Sequence, residues 1–457
     1  MKSNWHHSMK TNEGKREKFQ GGPYMEQKKS AVSKKTWVII FLLFLLTVIS
    51  NADKAIIGFA SVSIIKELGL SPEQWGVVGS VFFLLYSLSA VLGGSLADKI
   101  GAKKVIAGMV AIWSIVQFST IFVSSFTYLL VTRIILGAGE GPSYALAMTA
   151  ASKYLPKEKL GIGLTLVSVG GPLGVAISAP VLMHLIMSYG WRSAFISTGV
   201  VGFIWIIVWL WIAKEKAVTD TELVATKGST PLSTIQNETN FTSALFSKNF
   251  IFVALCGFAT YWSFTIGLNW LPNYLENVRH LSEGTLKIVV ALPWILITLS
   301  QITFSTISDR LYHKTKSMVK GRIFVLGPVM LAGAVSYFFG AMVSSNLLAI
   351  VLLSLGLTFG CITLVMGPAI LVDLVAPKHQ GKIQGWFMAL TSLGGIVGPY
   401  VTGYFIEHSA SPAAGFQYAF QLCGLILLVF GGLVWLAVRP KEIENSDLSD
   451  VNTSNVM

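Results

Sequence analysis

The chain has 457 residues, 53% of them apolar and 12% charged, and a mean hydropathy of +0.65. A soluble domain carries roughly 25% charged residues, so too few polar side chains are present to cover a water-facing exterior. The net charge of +12 would suggest nucleic acid as a partner in a soluble protein; in a membrane protein such an excess marks loop orientation instead.

A membrane-spanning helix needs about 20 mostly apolar residues. Twelve such runs follow one another, at 36–58, 75–97, 104–123, 127–151, 161–187, 193–213, 249–271, 285–307, 322–343, 347–372, 381–406 and 415–437. They predict an all-α polytopic membrane protein, with turns and alternations far too sparse for a β-barrel. The first six form an N-terminal bundle over 36–213 and the last six a C-terminal bundle over 249–437. A polar segment at 214–248 reads as a linker between them, and 1–35 and 438–457 read as polar tails. With twelve spans both tails lie on one face, which holds 28 of the 34 Lys and Arg. The positive-inside rule makes that face cytoplasmic, so the basic excess records topology in a cell inner membrane and no nucleic-acid partner is expected.

The first span follows a long basic tail and precedes eleven more, so it does not read as a cleaved signal peptide. Gln20-Gly21-Gly22 can be encoded by a purine-rich ribosome-binding sequence placed just before Met25. Residues 1–24 are therefore either an untranslated upstream stretch or a basic tail that is made. Cys256, Cys361 and Cys423 lie singly in apolar spans without a CxxC pair, and the histidines are scattered. Neither a metal site nor a cofactor motif is read, and no nucleophile-base pair suggests an enzyme.

Of the 22 acidic residues, only Asp53 and Glu140 lie well inside a span. Each has a cation near it in sequence, Lys54 beside Asp53 and Arg133 seven residues before Glu140. An ionisable group in hydrocarbon costs at least about 2.5–3.5 kcal/mol, so such groups normally face a cavity or a partner and mark a pathway. Seven residues are nearly two turns, which puts Arg133 and Glu140 on one face about 10 Å apart, too far to touch but suited to flanking a cavity. Asp53 and Lys54 differ by about 100° around their helix, so only one need face the centre. Burial favours a neutral carboxyl group and a nearby cation favours its ionised form, a balance that suits proton coupling at Asp53 and Glu140. The bland alternative is a set of satisfied buried ion pairs that hold spans one and four together. Gly137-Ala138-Gly139-Glu140-Gly141-Pro142 weighs against it, because small residues and a proline permit close helix approach and free a backbone carbonyl.

The two halves echo each other. Gly94-Ser95-Leu96-Ala97-Asp98-Lys99-Ile100-Gly101 after span two and Ser305-Thr306-Ile307-Ser308-Asp309-Arg310 after span eight both put a carboxylate and a cation at a helix end. This resembles the loop signature of the major facilitator superfamily. It implies a conformational lock built from Gly94, Asp98, Lys99, Gly101, Asp309 and Arg310, although Ala102 and Ser305 depart from the usual Arg and Gly. The span-four pattern from Arg133 to Pro142 is similar to that of the anion:cation symporters, which include hexuronate, galactonate and glucarate carriers. So are Gly190-Trp191-Arg192-Ser193-Ala194-Phe195, Asn269-Trp270-Leu271-Pro272-Asn273-Tyr274-Leu275 and Gly398-Pro399. That resemblance implies proton movement at Asp53 and Glu140, a substrate or coupling role for Arg133, and a substrate-facing Tyr86.

Two departures blur the substrate. Lys54 stands where sugar-acid carriers have an arginine, which removes a bidentate grip on a carboxylate, and Met388 stands where they have a polyol-binding asparagine. Tyr261 is expected in the cavity, Asn269 as a polar contact, and Trp270 and Tyr274 in the interfacial aromatic belt. The expectation is a proton-coupled symporter that imports a small organic anion by alternating access, functional as a monomer. Competing classes are an exporter of lipophilic or cationic compounds, which Lys54 and Arg133 disfavour, and a non-transporting sensor, for which no appended signalling domain is evident.

Overall fold

The computed structural model describes residues 33–213 and 241–439 apart from 373 and 376–378, and omits the side chains of 91, 93–95, 98, 157 and 158. The proposed start at Met25, both outer tails, most of the linker and the side chains of Gly94 and Asp98 lie outside the described residues. The described residues are almost entirely helical, with no strand among them.

In the first half, α1 (Lys34–Phe59) is followed by the short α2 (Ser61–Leu68), α3 (Pro72–Ile100) and α4 (Ala102–Ser119). Span four is a pair, α5 (Phe126–Glu140) and α6 (Ser143–Tyr154), succeeded by α7 (Lys157–Tyr189) and α8 (Trp191–Ile212). In the second half, α9 (Phe241–Leu245) leads into α10 (Lys248–Asn269), α11 (Leu271–Asn277), α12 (Glu283–Val289) and α13 (Leu292–Thr315). Then come α14 (Phe324–Gly340), the pair α15 (Asn346–Gly360) and α16 (Thr363–Val372), α17 (Gln380–His408) and α18 (Pro412–Ala437).

Among the described residues, ten helical stretches are long and apolar enough to cross a membrane. The other two expected spans are α3, which carries Glu73, Asp98 and Lys99, and the α5–α6 pair, interrupted at Gly141-Pro142 where proline cannot continue the ladder. The tenth span is interrupted likewise, between Gly360 and Thr363. Helix starts are fixed locally: Ser33, Ser71, Ser125, Ser247, Ser345 and Ser411 each accept a hydrogen bond from a backbone N–H of the first turn. Large apolar side chains on lipid-facing flanks, such as Ile207 and Leu436, are exposed, as a bilayer solvent requires.

The bundle has a tail end, where α1 starts and α18 stops, and a far end. The halves meet mainly along α3 and α17. Described cross-half hydrogen bonds start at the far end. Glu407 Oε2 accepts from Ser71 Oγ (2.7 Å) and from the Glu73 amide (2.8 Å), and Tyr400 Oη donates to Glu73 Oε1 (2.9 Å). They continue inward with Trp75 Nε1 donating to Asn269 O (3.4 Å) and Ser87 Oγ donating to Ser392 Oγ (2.6 Å). Close backbone contact supports this seam, since a Cβ at Gly76 would strike Pro399 O.

The belt expectation for Trp270 and Tyr274 is overturned. They are 1% and 2% exposed, packed against Phe416, and the Trp270 indole donates to Pro399 O (3.1 Å). A span end packed inside a bundle satisfies its aromatic polar groups from protein rather than from headgroups.

Candidate functional site

Asp53, Lys54, Arg133 and Glu140 come together in the N-terminal half, all at most 5% exposed. Lys54 Nζ lies 2.8 Å from Glu140 Oε2. It also donates to Ser50 Oγ (2.6 Å), one turn back on α1, and Ser50 Oγ donates on to Glu140 Oε2 (3.2 Å). The Lys54 ammonium stands 5.3 Å from the centre of the Tyr86 ring. Glu140 therefore takes its cation from another helix, not from Arg133 on its own.

Local sequence explains this placement. Glu140 ends α5 at the interruption, where Gly141 lets the chain run against α3: a Cβ there would strike Tyr86 O and Ser89 Oγ. Gly137, one turn earlier, lies against Phe82 O in the same way. Span four is thereby pressed onto span two, and Glu140 reaches Lys54 beside Tyr86.

Arg133 is 3% exposed with its guanidinium 4.8 Å from the Phe82 ring centre, while its Nε and Nη1 make no hydrogen bond. Stacking on an aromatic face offsets part of the cost of that charge. Asp53 is fully buried, has no salt-bridge partner among the described residues, and neither carboxylate oxygen makes a short hydrogen bond. Its polar neighbours are Gln117 on α4 and Thr198 on α8. Thus α1 turns Lys54 toward Tyr86 and Glu140 and Asp53 toward α4 and α8, as their 100° offset requires.

The second half contributes a wall. Tyr261 on α10 meets Phe83 of α3 edge-on at 6.1 Å between ring centres, a contact across the halves. Asn269 is 2% exposed with its amide donating to Thr265 O (3.0 Å), and it lies in the seam between the halves, against Gly79 of α3 and Gly58 of α1. Met388 is half-buried against an apolar cluster that both halves share.

Of the loop residues, Gly101 has a φ of +93°, which suits glycine at the turn between α3 and α4, and Lys99 is exposed. In the second copy Asp309 pairs with Arg322 (3.1 Å), thirteen residues on, rather than with adjacent Arg310. Sequence reasoning passed over Ser50, Ser143 and Tyr144. The first lies four residues before Lys54 and the others three and four after Glu140, spacings that share a helix face. Tyr144 is 41% exposed and its hydroxyl lies 3.0 Å from Ser168 Oγ.

The description of the Major Facilitator Superfamily matches residues 43–366 and 321–454, and the chain belongs to that family. It is 30% identical over 412 residues to the hexuronate transporter of Bacillus subtilis (strain 168), covering 89% of this chain and 96% of that relative. It is 29% identical over 426 residues to a probable sulfoacetate transporter of Cupriavidus necator, covering 89% and 94%. It is 23% identical over 435 residues to a probable L-galactonate transporter of Escherichia coli (strain K12), covering 92% of each. Among solved structures it resembles a bacterial homologue of the human lysosomal transporter Spinster in an inward-facing and occupied conformation. There the TM-score is 0.73 at 15% identity, covering 90% of this chain and 98% of that one, a likeness of fold. The chain is a membrane transporter with anion carriers among its relatives, and not an enzyme.

Proposed function

We propose that the protein is a proton-coupled symporter that takes up a small organic anion, a carboxylate or sugar acid, by alternating access. The carrying observation is the unequal treatment of two buried acids: Glu140 is bonded to Lys54 and Ser50, whereas Asp53 has no salt-bridge cation and only the neutral Gln117 and Thr198 beside it. A proton is the charge-compensating partner that Asp53 lacks. Two buried cations balance two buried acids, so one proton on an acid leaves the group at +1 and suited to an anion. Lys54 is the anion's ammonium contact and Tyr86 and Tyr261 line its path; Arg133, with unused donors, is a second anchor.

The seam at the far end supports an arrangement closed on that side, and the partial exposure of Tyr144, tailward of Glu140, supports access from the tail end. With the positive-inside rule the tail end is cytoplasmic, so the arrangement corresponds to release, and rocking of the halves about a midplane site exposes the same residues outward. Relatives named for hexuronate, sulfoacetate and galactonate define the panel to try. The deciding experiment is uptake of labelled glucuronate, galactonate and sulfoacetate into proteoliposomes with and without an inward proton gradient. Gradient-driven accumulation that is lost in Glu140→Gln and Asp53→Asn is expected; accumulation indifferent to both the gradient and Glu140→Gln would refute proton coupling.

A further inference from the structure

The charged group accounts for one side of α1; the other side faces a polar stripe that transport of the anion does not use. On α4, Trp113, Ser114 and Gln117 are at most 1% exposed; Trp113 Nε1 and Ser114 Oγ have no hydrogen-bond partner among the described residues, and the Gln117 amide makes no short hydrogen bond there and interacts with the Asp53 carboxyl group. Their spacing places them on one face of the helix. That face packs on α8, where two glycines admit it: a Cβ at Gly202 would strike Ser114 Oγ, and one at Gly199 would crowd Ser114 O and Phe118. Asp53 of α1 completes the group, with Gln117 and Thr198 as its polar neighbours.

Orphaned buried donors at this density are rare, because more than about 90% of buried polar groups find a partner in protein or ordered water. A core that needed only packing would hold leucine or valine at these positions. Tyr86 and Glu140, by contrast, lie on the Lys54 side of α1.

We propose that Gln117, with Ser114 and Thr198, forms a hydrated path that carries protons to and from Asp53 between α1, α4 and α8, apart from the substrate cavity. This rests on the reading of the protein as proton-coupled. Each water in the path accepts a proton from its neighbour on the bulk side as it passes one on, so the O–H bond formed at an Asp53 oxygen is balanced by a proton drawn from bulk water, and release reverses the relay. Gln117 is a positioning residue: its amide orients the water and the carboxyl group. The charges that face Asp53 are Glu140, Lys54 and Arg133, and they set whether the proton stays. Separate routes let a proton reach Asp53 while an anion occupies the cavity, which symport needs if the two ligands are not to obstruct one another.

The test uses infrared spectroscopy of the purified full-length protein in lipid. The protonated-carboxyl band absent from Asp53→Asn is assigned to Asp53, and its hydrogen–deuterium exchange is timed. Gln117→Leu is expected to slow that exchange by about tenfold, the effect of one lost hydrogen bond on a transfer step. Gln117→Asn restores most of the rate, and Tyr86→Phe in the cavity leaves it unchanged. Exchange as fast in Gln117→Leu as in the unaltered protein overturns the path, as does slowing by Tyr86→Phe or the lack of any titrating Asp53 band. If Asp53 exchanges through Gln117 while anion uptake ignores the proton gradient, the path stands and the symport reading falls.

Discussion

The two halves share one architecture and divide the work unequally. Both have a fourth span broken in mid-membrane, at Gly141-Pro142 in one and at Cys361-Ile362 in the other. In the first half the break presents Glu140 to Lys54; in the second it presents Gly360, whose carbonyl accepts a hydrogen bond from Thr260 Oγ1 (2.7 Å). Among the described residues, every Asp, Glu, Lys or Arg classed as buried belongs to the first half, while the second buries hydroxyls, amides and thiols. A repeated fold therefore sets where a span can break, and the residue placed at the break sets whether it carries charge or only packs.

The largest expected effect comes from unbalancing the first break. Glu140→Ala strands the buried Lys54 ammonium and should cost about 3–5 kcal/mol, read as a lower thermal midpoint of the purified protein. The doubly neutral Lys54→Met with Glu140→Gln should regain most of that loss without regaining proton-driven uptake. In the other half Cys361→Ala, at the break itself, removes only packing and should cost about 1 kcal/mol; equal losses at the two breaks would erase the contrast.

Next in size is Tyr86→Phe, which removes one hydroxyl from the N-terminal side of the cavity. It should raise KM for the transported anion by about 2–10-fold with little change in stability, the worth of one hydrogen bond. Thr260→Val in the second half removes a structural hydrogen bond and should lower stability by about 1 kcal/mol while leaving KM unchanged.

The smallest effect concerns the far-end loops, where each half uses an arginine to hold the carbonyl after its third span. Arg192 Nη2 donates to Val123 O (2.6 Å) and Arg279 Nη2 to Val343 O (2.7 Å). Only Arg192 has a carboxylate partner, Glu67 at 2.7 Å. Donation from the Trp191 indole and the nearby Arg192 hold the Glu67 carboxyl below its usual range. Its contribution is therefore fully present above pH of about 4.3 and fades as pH falls through the lower folded value. Melting measured between pH 6 and 3 should show a small acid-side loss that Glu67→Gln removes and Arg279→Lys does not.

Much of this was legible in the amino-acid sequence. Run length and spacing locate twelve spans and two bundles, and the cost of charge in hydrocarbon picks out Asp53, Lys54, Arg133 and Glu140. Pairing was legible only as the alternative the glycines weighed against, ion pairs that join spans one and four, of which Lys54 and Glu140 form one; the individual partners were hidden because sequence neighbours on a helix are not its spatial partners. Glu140 bonds to Lys54 on another helix, and Asp309 bonds to Arg322 instead of Arg310. Period fixes the angle between Asp53 and Lys54 but not the rotation of α1, so which of them faces the centre emerges only from packing. The burial of Trp270 and Tyr274 was hidden for the same reason: an aromatic at a span end has the same pattern whether lipid or another helix covers it.

The far-end seam is built to part cheaply. Ser71 Oγ caps its own helix by accepting from the Gln74 backbone N–H, and the Ser71 backbone N–H donates in turn to Gln74 Oε1. When Glu407 withdraws with the other half, α3 keeps its reciprocal cap, and the groups released are the Ser71 hydroxyl and one first-turn amide at the bundle's aqueous edge. Such bonds to a carboxylate are worth at most about 1.5–3 kcal/mol each, and the cap is not among them, so the start of α3 can change partners without fraying, a clasp whose two sides stay intact when undone.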